Sequence, residues 1–318
     1  RERHRAPGGS SSGSGVAVAA GLAPWAIGTD TGGSVRLPAA WCGLSGLKTT
    51  IGRISVFGVL PLSPTLDTPG PMCRTVEDAA ALYSILHGPD PLDPLTLRRG
   101  RDDPLPTLRG GVEGLRLARM PEIEREGVQE AVLGAYDESL DVLRELGARI
   151  VDVGLPRKFR DLASCTGRII GAEGYSFVGE LVDDETLPVD DDVRPRIQLG
   201  RDMTARDYLL TLREREAIKR EFASALADVD ALLTPTVATV APVVSDIDQS
   251  TTPAGFTRVA NLLDYCALSV PNGQSPEGLP TALQVVCRGF DEALALRIGW
   301  AFQNVTAWHR RIPPGFED

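Results

Sequence analysis

The sequence predicts an α/β fold with a partly parallel sheet, and three observations carry that prediction. Leu115-Arg116-Leu117-Ala118-Arg119 alternates like a strand, Val128 to Leu146 is amphipathic at helical spacing, and Arg149 to Val153 reads as a strand again. A strand-helix-strand order favours parallel pairing, because the helix carries the chain back to the edge it left. Ala267 to Val270 and Thr281 to Val286 are apolar runs of core-strand type, separated by the turn-rich segment Pro271 to Pro280. Finally, 42% of the 318 residues are hydrophobic, enough for a substantial core, and with 5% aromatics that core must be aliphatic.

The elements follow in order. The opening Arg1-Glu2-Arg3-His4-Arg5-Ala6-Pro7 resembles neither a signal peptide nor an ordinary initiator sequence, so the expectation is a chain that begins inside a larger protein. Val16-Ala17-Val18-Ala19-Ala20 predicts a tightly packed helix closed by Gly21, with a strand over Trp25 to Thr29 and a turn at Thr31-Gly32-Gly33. Leu44 to Leu47 fits a buried segment ahead of a Gly- and Pro-rich stretch over 52–71. Thr75 is an N-cap, with Glu77 and Asp78 in the first turn of an apolar helix through Leu86. Residues 88–111 read as a surface connection. In the helix over Val128 to Leu146, Val132, Ala135, Leu140, Val142 and Leu143 mark the apolar side. From Arg157 to Asp202 the pattern is weak and polar, and Asp190-Asp191-Asp192 reads as a solvated loop rather than a metal site. Thr204 to Ala227 is a long charged helix, Ala231-Leu232-Leu233 runs into Thr234-Pro235-Thr236, and Glu292 to Asn304 is a final helix.

Charge and composition narrow the function classes. A formal charge of −10 argues against nucleic acid as a partner, since phosphate binding needs clustered Lys and Arg. No apolar run is long enough for a transmembrane helix. Cys42, Cys73, Cys165, Cys266 and Cys287 are scattered and lack CxxC spacing, and read as buried thiols in a reducing, cytoplasmic compartment. Lysine is scarce: Lys48, Lys158 and Lys219 are the three in the sequence.

Two stretches point to chemistry. Pro7-Gly8-Gly9-Ser10-Ser11-Ser12-Gly13-Ser14-Gly15 and Gly28-Thr29-Asp30-Thr31-Gly32-Gly33-Ser34-Val35-Arg36-Leu37-Pro38-Ala39-Ala40 each set serine hydroxyls among glycines, where backbone N–H groups can approach a ligand. Ser10 and Ser34 stand 24 residues apart, natural for two loops that meet across a turn, as a serine nucleophile and a second serine serving as its proton partner. The usual base, histidine, is represented by His4, His87 and His309, each better placed for a structural or exposed role. Gly9-Ser10-Ser11-Ser12-Gly13 matches G-x-S-x-G only formally, because no apolar strand leads into it. Gly43-Leu44-Ser45-Gly46-Leu47-Lys48-Thr49 lacks the adjacent Gly-Lys of a phosphate loop, and no G-x-G-x-x-G lies between a strand and a helix. A flexible linker accounts for residues 8–15 alone but not for the Gly-Gly-Ser block bracketed by Asp30 and Arg36.

These stretches, with Cys42-Gly43 and Gly46-Leu47-Lys48 after them, resemble the amidase signature family. Asp67-Thr68-Pro69-Gly70-Pro71-Met72, Arg74 to Ala80, Leu233-Thr234-Pro235-Thr236, Leu268-Ser269-Val270-Pro271, Gly278-Leu279-Pro280 and Leu283-Gln284 extend the resemblance over nearly the whole chain. The resemblance implies one domain over 1–318, lacking its N-terminal part. Its large mixed sheet would be flanked by helices on both faces, with the signature core at about 7–90 and a substrate-shaping region at about 157–202. It implies Ser34 as the acylated nucleophile and Ser10 as the bridging serine after a cis Gly9–Ser10 peptide. It further implies an oxyanion hole from the N–H groups of Thr31, Gly32, Gly33 and Ser34. Gly9, which would avoid a side-chain clash, and the Asp30–Arg36 pair are structural supports in this reading. Ser12 departs from the glycine usual at that position but stays small. The family's base is a neutral lysine lying upstream of the Gly/Ser motif, and Lys48, Lys158 and Lys219 do not substitute for it. The implied function is hydrolysis of a small-molecule amide without metal or organic cofactor, nucleic acid or membrane, with a homodimer admitted as an assembly. The alternatives are the glutaminase component of a tRNA-dependent amidotransferase and a non-catalytic binding homologue. His87 to Pro94 lacks the Asp-Ser-Thr-Ser-like run expected of that component, and Phe57 to Asp67 departs from it too. Trp25, Trp41, Phe57 and Leu62 are candidates for an acyl pocket or for core packing.

Overall fold

The structure, a computed structural model, describes residues 4–98, 100–249 and 251–316; the opening tripeptide Arg1-Glu2-Arg3 lies outside them. Among the described residues eight strands form one sheet: β1 (Trp25–Asp30), β2 (Ser45–Lys48), β3 (Thr68–Cys73), β4 (Arg116–Arg119), β5 (Arg149–Val151), β6 (Ala231–Pro235), β7 (Cys266–Gln274) and β8 (Pro280–Cys287). Their spatial order is β1-β3-β2-β7-β8-β6-β4-β5. The sheet is mixed: β4 pairs in parallel with β5 and β6, and every other neighbouring pair is antiparallel. The helices are α1 (Ser12–Ala19), α2 (Arg36–Cys42), α3 (Val76–Leu86), α4 (Glu130–Glu145), α5 (Phe159–Asp183), α6 (Arg194–Gln198), α7 (Ala205–Ala225), α8 (Arg258–Leu262) and α9 (Glu292–Val305).

Local chemistry explains most of these elements. The parallel pairing falls on the β4-α4-β5 unit, and α4 buries Val132, Ala135, Leu140 and Leu143 while Val142 stays half-buried. Thr75 caps α3 by accepting the Asp78 N–H, and Thr204 with Asp207 closes a reciprocal capping box on α7. Gly21, at φ +76°, ends α1 in the left-handed region. The hairpin of β7 and β8 runs in register from Cys266↔Cys287 to Gln274↔Pro280, broken by an irregularity between Pro271 and Gly273. Helices α2, α4 and α9 pack on this central pair. The approach of α9 is close enough that a Cβ on Gly299 would lie 2.3 Å from Leu268 Cδ2.

Three segments differ from the sequence expectations. The Gly- and Pro-rich stretch ends in β3, a fully buried strand between β1 and β2. Pro69 and Pro71 share one parity, so both missing N–H groups fall on the same side of that strand, leaving the other side intact. The weakly patterned region 157–202 contains α5, a helix of 25 residues kinked at Val178. Strand β7 continues through Pro271 to Gln274 rather than turning at Pro271.

Candidate active site

Ser10 and Ser34 belong to two loops that meet. The Gly9–Ser10 peptide is cis, and α1 begins at Ser12. Ser34 follows β1 and precedes α2, where the chain turns at Gly33, φ +140°. The Ser11 N–H donates to the Ser34 carbonyl at 3.2 Å, seating the first loop on the second. Ser11 Oγ both donates to the Thr29 carbonyl and accepts the Thr29 N–H, each at 3.3 Å, and Ser14 Oγ donates to the Ile27 carbonyl at 3.0 Å. The Gly/Ser run is therefore stitched along β1 rather than free as a linker. Ser10 is exposed and Ser34 half-buried, so both hydroxyl-bearing residues are open to a ligand.

The second loop is held from beneath by a buried ion pair. Asp30 and Arg36 are both 0% exposed, with Arg36 Nη2 2.8 Å from Asp30 Oδ1 and Nε 3.0 Å from Oδ2. All five guanidinium N–H directions find acceptors: the two on Asp30, the Thr257 carbonyl at 2.8 Å, Gln284 Oε1 at 2.7 Å and Asn261 Oδ1 at 2.7 Å. Burial pushes the Asp30 carboxyl up, but the Arg36 charge and the hydrogen bonds from Arg36 and Asn261 outweigh it and hold the group below its usual range. A buried pair is stable only when fully hydrogen-bonded in this way.

Asp30 also sorts the backbone donors of the loop. Its Oδ1 accepts the Gly33 N–H at 2.8 Å and its Oδ2 the Val35 N–H at 3.2 Å. Among the described residues no protein acceptor meets the N–H groups of Thr31, Gly32 or Ser34. Of the four N–H groups expected to form an oxyanion hole, that of Gly33 is thus held by the Asp30 carboxylate. Gly33 is sterically required for another reason: a Cβ there would sit 2.4 Å from Thr257 Oγ1. A Cβ on Gly9 meets nothing within 4 Å beyond its own chain neighbours.

Two carboxylates that the sequence reading did not place brace the loop from the side. Thr31 Oγ1 donates to Asp67 Oδ1 at 2.5 Å, and Asp67 Oδ2 accepts the N–H groups of Leu62 and Ser63 at 2.9 and 2.8 Å. Burial raises the Asp67 pKa above its ordinary value, partly offset by the Thr31, Ser63 and Leu62 hydrogen bonds. Ser63 Oγ in turn donates to Glu173 Oε2 at 2.5 Å, and Glu173 also accepts from the Thr65 N–H, the Thr65 hydroxyl and the Tyr208 hydroxyl. This chain of bonds ties the Ser34 loop to α5 and α7. The one signal available in sequence was the charge of Glu173 on the buried side of α5.

The remaining candidates divide cleanly. Lys48 is buried, and its Nζ donates to the carbonyls of Thr49 and Tyr265 at 2.7 and 2.8 Å; burial and the nearby Arg36 charge lower its pKa to about 8. Lys219 is bound to Glu216 and Asp264, both at 2.9 Å. His87 is held between the Tyr83 carbonyl and the Asp102 N–H, a structural arrangement. Trp41 is core, with its indole N–H on the Thr239 carbonyl at 2.9 Å, whereas Trp25, Phe57 and Leu62 keep exposed surface. A cavity of about 310 Å³ lies among Trp41, Cys42, Leu279 and Trp308, and neither serine lines it. No cluster of metal-ligating side chains occurs among the described residues. No helix of the described residues is long and apolar enough to cross a membrane.

Known proteins share both the sequence pattern and the fold. A profile of the family described as Amidase matches residues 1–296. A glutamyl-tRNA(Gln) amidotransferase subunit of Chloroflexus aggregans is 40% identical over 344 aligned positions, covering 97% of this chain and 68% of that protein. The crystal structure of the corresponding subunit from Thermotoga maritima superposes with a TM-score of 0.82 at 35% identity, covering 95% of this chain and 67% of the other. The native peptide amidase from Stenotrophomonas maltophilia gives 0.84 at 29% identity, covering 100% and 69%.

Proposed function

From the premise that the chain belongs to the Amidase family, we propose that it hydrolyses a carboxylic amide through an acyl-enzyme on Ser34. Ser34 Oγ attacks the amide carbonyl carbon, and its proton passes by way of the Ser10 hydroxyl to the leaving nitrogen. The C–N bond breaks, and ammonia or an amine departs. Water then attacks the acyl ester, releasing the acid and restoring the Ser34 hydroxyl. The N–H groups of Thr31, Gly32 and Ser34 receive the charge that develops on the carbonyl oxygen.

The observation that carries this reading is the division of donors around Asp30. Its carboxylate takes the Gly33 and Val35 N–H groups and leaves three N–H groups beside Ser34 without a protein acceptor. Fixed donors without acceptors, next to a half-exposed serine, are what stabilising a transient oxyanion requires. Lys48 and Lys219 are committed to other partners, so the proposal gives the part of base to neither.

A second, narrower reading is favoured by the relatives: the glutamyl-tRNA(Gln) amidotransferase subunits match at 36–40% identity, above the 29% of the peptide amidase. This outweighs the missing Asp-Ser-Thr-Ser-like run, and makes glutamine the first amide to test and a protein complex the setting. The experiment is ammonia release from glutamine and from neutral aliphatic, aryl and peptide amides by the complete protein. Hydrolysis that falls about 10³-fold or more in Ser34→Ala supports the proposal. Activity unchanged in Ser34→Ala, or none with any amide, overturns it.

A further inference from the structure

Two of the three free donors beside Ser34 are aimed from behind. A peptide group is planar and trans, so its N–H points away from its C=O, and whatever fixes the carbonyl fixes the N–H. The Gly33 carbonyl accepts the Leu37 N–H at 2.7 Å, which orients the Ser34 N–H as the chain enters α2. The Asp30 carbonyl belongs to the peptide that carries the Thr31 N–H, and two side chains meet it instead. Thr68 Oγ1 donates to it at 3.0 Å and Asn261 Nδ2 at 3.1 Å.

Neither side chain is open to a substrate. Thr68 and Asn261 are each 1% exposed, and the carbonyl they hold points away from the free N–H. Their other contacts differ. Asn261 also donates to Asp30 Oδ1 at 2.9 Å and accepts from Arg36 Nη2 at 2.7 Å, so it is part of the buried ion pair. Among the described residues the Thr68 hydroxyl bonds to the Asp30 carbonyl alone. Thr68 opens β3 opposite Asp30 in the β1–β3 register, so sheet pairing itself delivers the hydroxyl to this carbonyl. A hydrogen bond at the carbonyl end also polarises the amide and strengthens its N–H as a donor.

We propose that Thr68 is a positioning residue for the reaction at Ser34. Its hydroxyl holds and polarises the Asp30–Thr31 peptide, and so keeps the Thr31 N–H aimed where the oxyanion forms. This rests on the acyl-enzyme reading above and gives a part in it to a residue outside both Gly/Ser stretches. An oxyanion bonds that N–H more strongly than the neutral carbonyl of a bound substrate does. Loss of the hydroxyl therefore falls on kcat rather than on KM.

The test measures kcat and KM of the complete protein, with whichever of glutamine, hexanamide and p-nitroacetanilide it cleaves fastest. Thr68→Val removes the hydroxyl and keeps the branched shape that suits a strand; Thr68→Ala carries the same prediction if the Val protein does not fold. The expected result is a kcat about tenfold lower with KM within about twofold, and recovery of most of kcat in Thr68→Ser. Thr49→Val is the structural control. The Thr49 hydroxyl donates to the Pro69 carbonyl at 2.8 Å, so this variant also loses a buried hydroxyl–carbonyl bond on β3, and its kcat is expected to stay at wild type. A second arm is the rate at which a fluorophosphonate labels Ser34, expected to fall about tenfold in Thr68→Val and to recover in Thr68→Ser.

An unchanged kcat and labelling rate in Thr68→Val, a loss that falls on KM, an equal loss in Thr49→Val, or no recovery in Thr68→Ser overturns the positioning role and leaves the acyl-enzyme reading standing. If Ser34 is labelled at a rate that depends on Thr68 while none of these amides is cleaved, the positioning role stands and the amide reading falls. Hydrolysis that survives Ser34→Ala, with no labelling of Ser34, overturns both.

Discussion

Residues 7–90 and residues 157–225 are held together in opposite ways. In the first region two strand glycines, Gly46 and Gly70, leave no room for a side chain. A Cβ on Gly70 would lie 1.9 Å from the Leu47 carbonyl oxygen, and one on Gly46 would lie 2.6 Å from Ala39 Cβ. The charge there is buried and fully bonded, as in Asp30–Arg36. In the second region a Cβ on Gly167 meets nothing within 4 Å, although one on Gly200 would lie 2.1 Å from the Gly171 carbonyl oxygen, and the ion pairs are partly exposed, Arg168 at 42% with Glu214 at 40%. Close approach restricts the loop that presents Ser34, whereas the helices beside it bury an apolar face and add partly exposed, screened ion pairs on the other. Glu173 is the exception, a buried carboxylate of the second region bonded to Ser63 and Thr65 of the first. Glu173 thus bonds the helices of the second region to the segment that braces the Ser34 loop.

The contrast breaks most sharply at Arg36. Arg36→Met leaves the Asp30 carboxylate buried without its cation, and we expect a loss of about 3–5 kcal/mol in urea unfolding. The same pair sets an acid limit in the wild type. Because the folded Asp30 pKa is below its ordinary value, the pair's contribution is present above the unfolded carboxylate range and lost as pH falls through the folded value.

Lys48 sets an alkaline trend of the same sign. Its folded pKa of about 8 lies below the unfolded value of 10.5, so between these the unfolded chain binds the extra proton and stability rises with pH. The gain is on the order of 3 kcal/mol, and Lys48→Met should flatten that rise in unfolding measured from pH 7.5 to 10.5. A rise that persists in Lys48→Met assigns it to another group.

Glu173→Gln tests the anchor. The amide oxygen can take the Oε2 place and keep the Thr65 N–H and Ser63 hydroxyl, while the Thr65 and Tyr208 hydroxyls turn to accept from the NH2, so what is lost is the charge assistance to these bonds, and a cost of about 1–2 kcal/mol is expected. Hydrogen exchange should quicken in residues 62–67 as well as in α5; quickening in α5 alone would mean that the two regions are not coupled through this residue. The smallest effect has the opposite sign. Gly167→Ala, in open space within α5, should stabilise the protein by about 0.5–1 kcal/mol in thermal unfolding. Destabilisation there would show that α5 is as tightly confined as the catalytic loop.

The sequence made legible whatever is written locally. Helices α4 and α7 show their amphipathic period or caps, and Ser10 and Ser34 sit in glycine-rich runs with few structural alternatives. Helix α5 was hidden because Gly167, Gly171, Gly174 and Gly179 lower its propensity, and because its buried stripe Phe159, Leu162, Thr166, Ile169 ends in the charged Glu173. Strand β3 was hidden by Pro69 and Pro71, whose harmlessness depends on which side of the strand lacks a donor. The loop's supports were beyond reach for a different reason. Thr31 meets Asp67 36 residues on, Ser63 meets Glu173 110 residues on, and Arg258 reaches Gly32 from another part of the chain. Such pairings are products of the fold and leave no spacing to read.

The most direct test of the central claim is peptide mapping by mass spectrometry after treatment of the complete protein with a fluorophosphonate. The account predicts one adduct, on Ser34, absent in Ser34→Ala and formed more slowly in Ser10→Ala. An adduct on any other serine, or labelling that persists in Ser34→Ala, would contradict it.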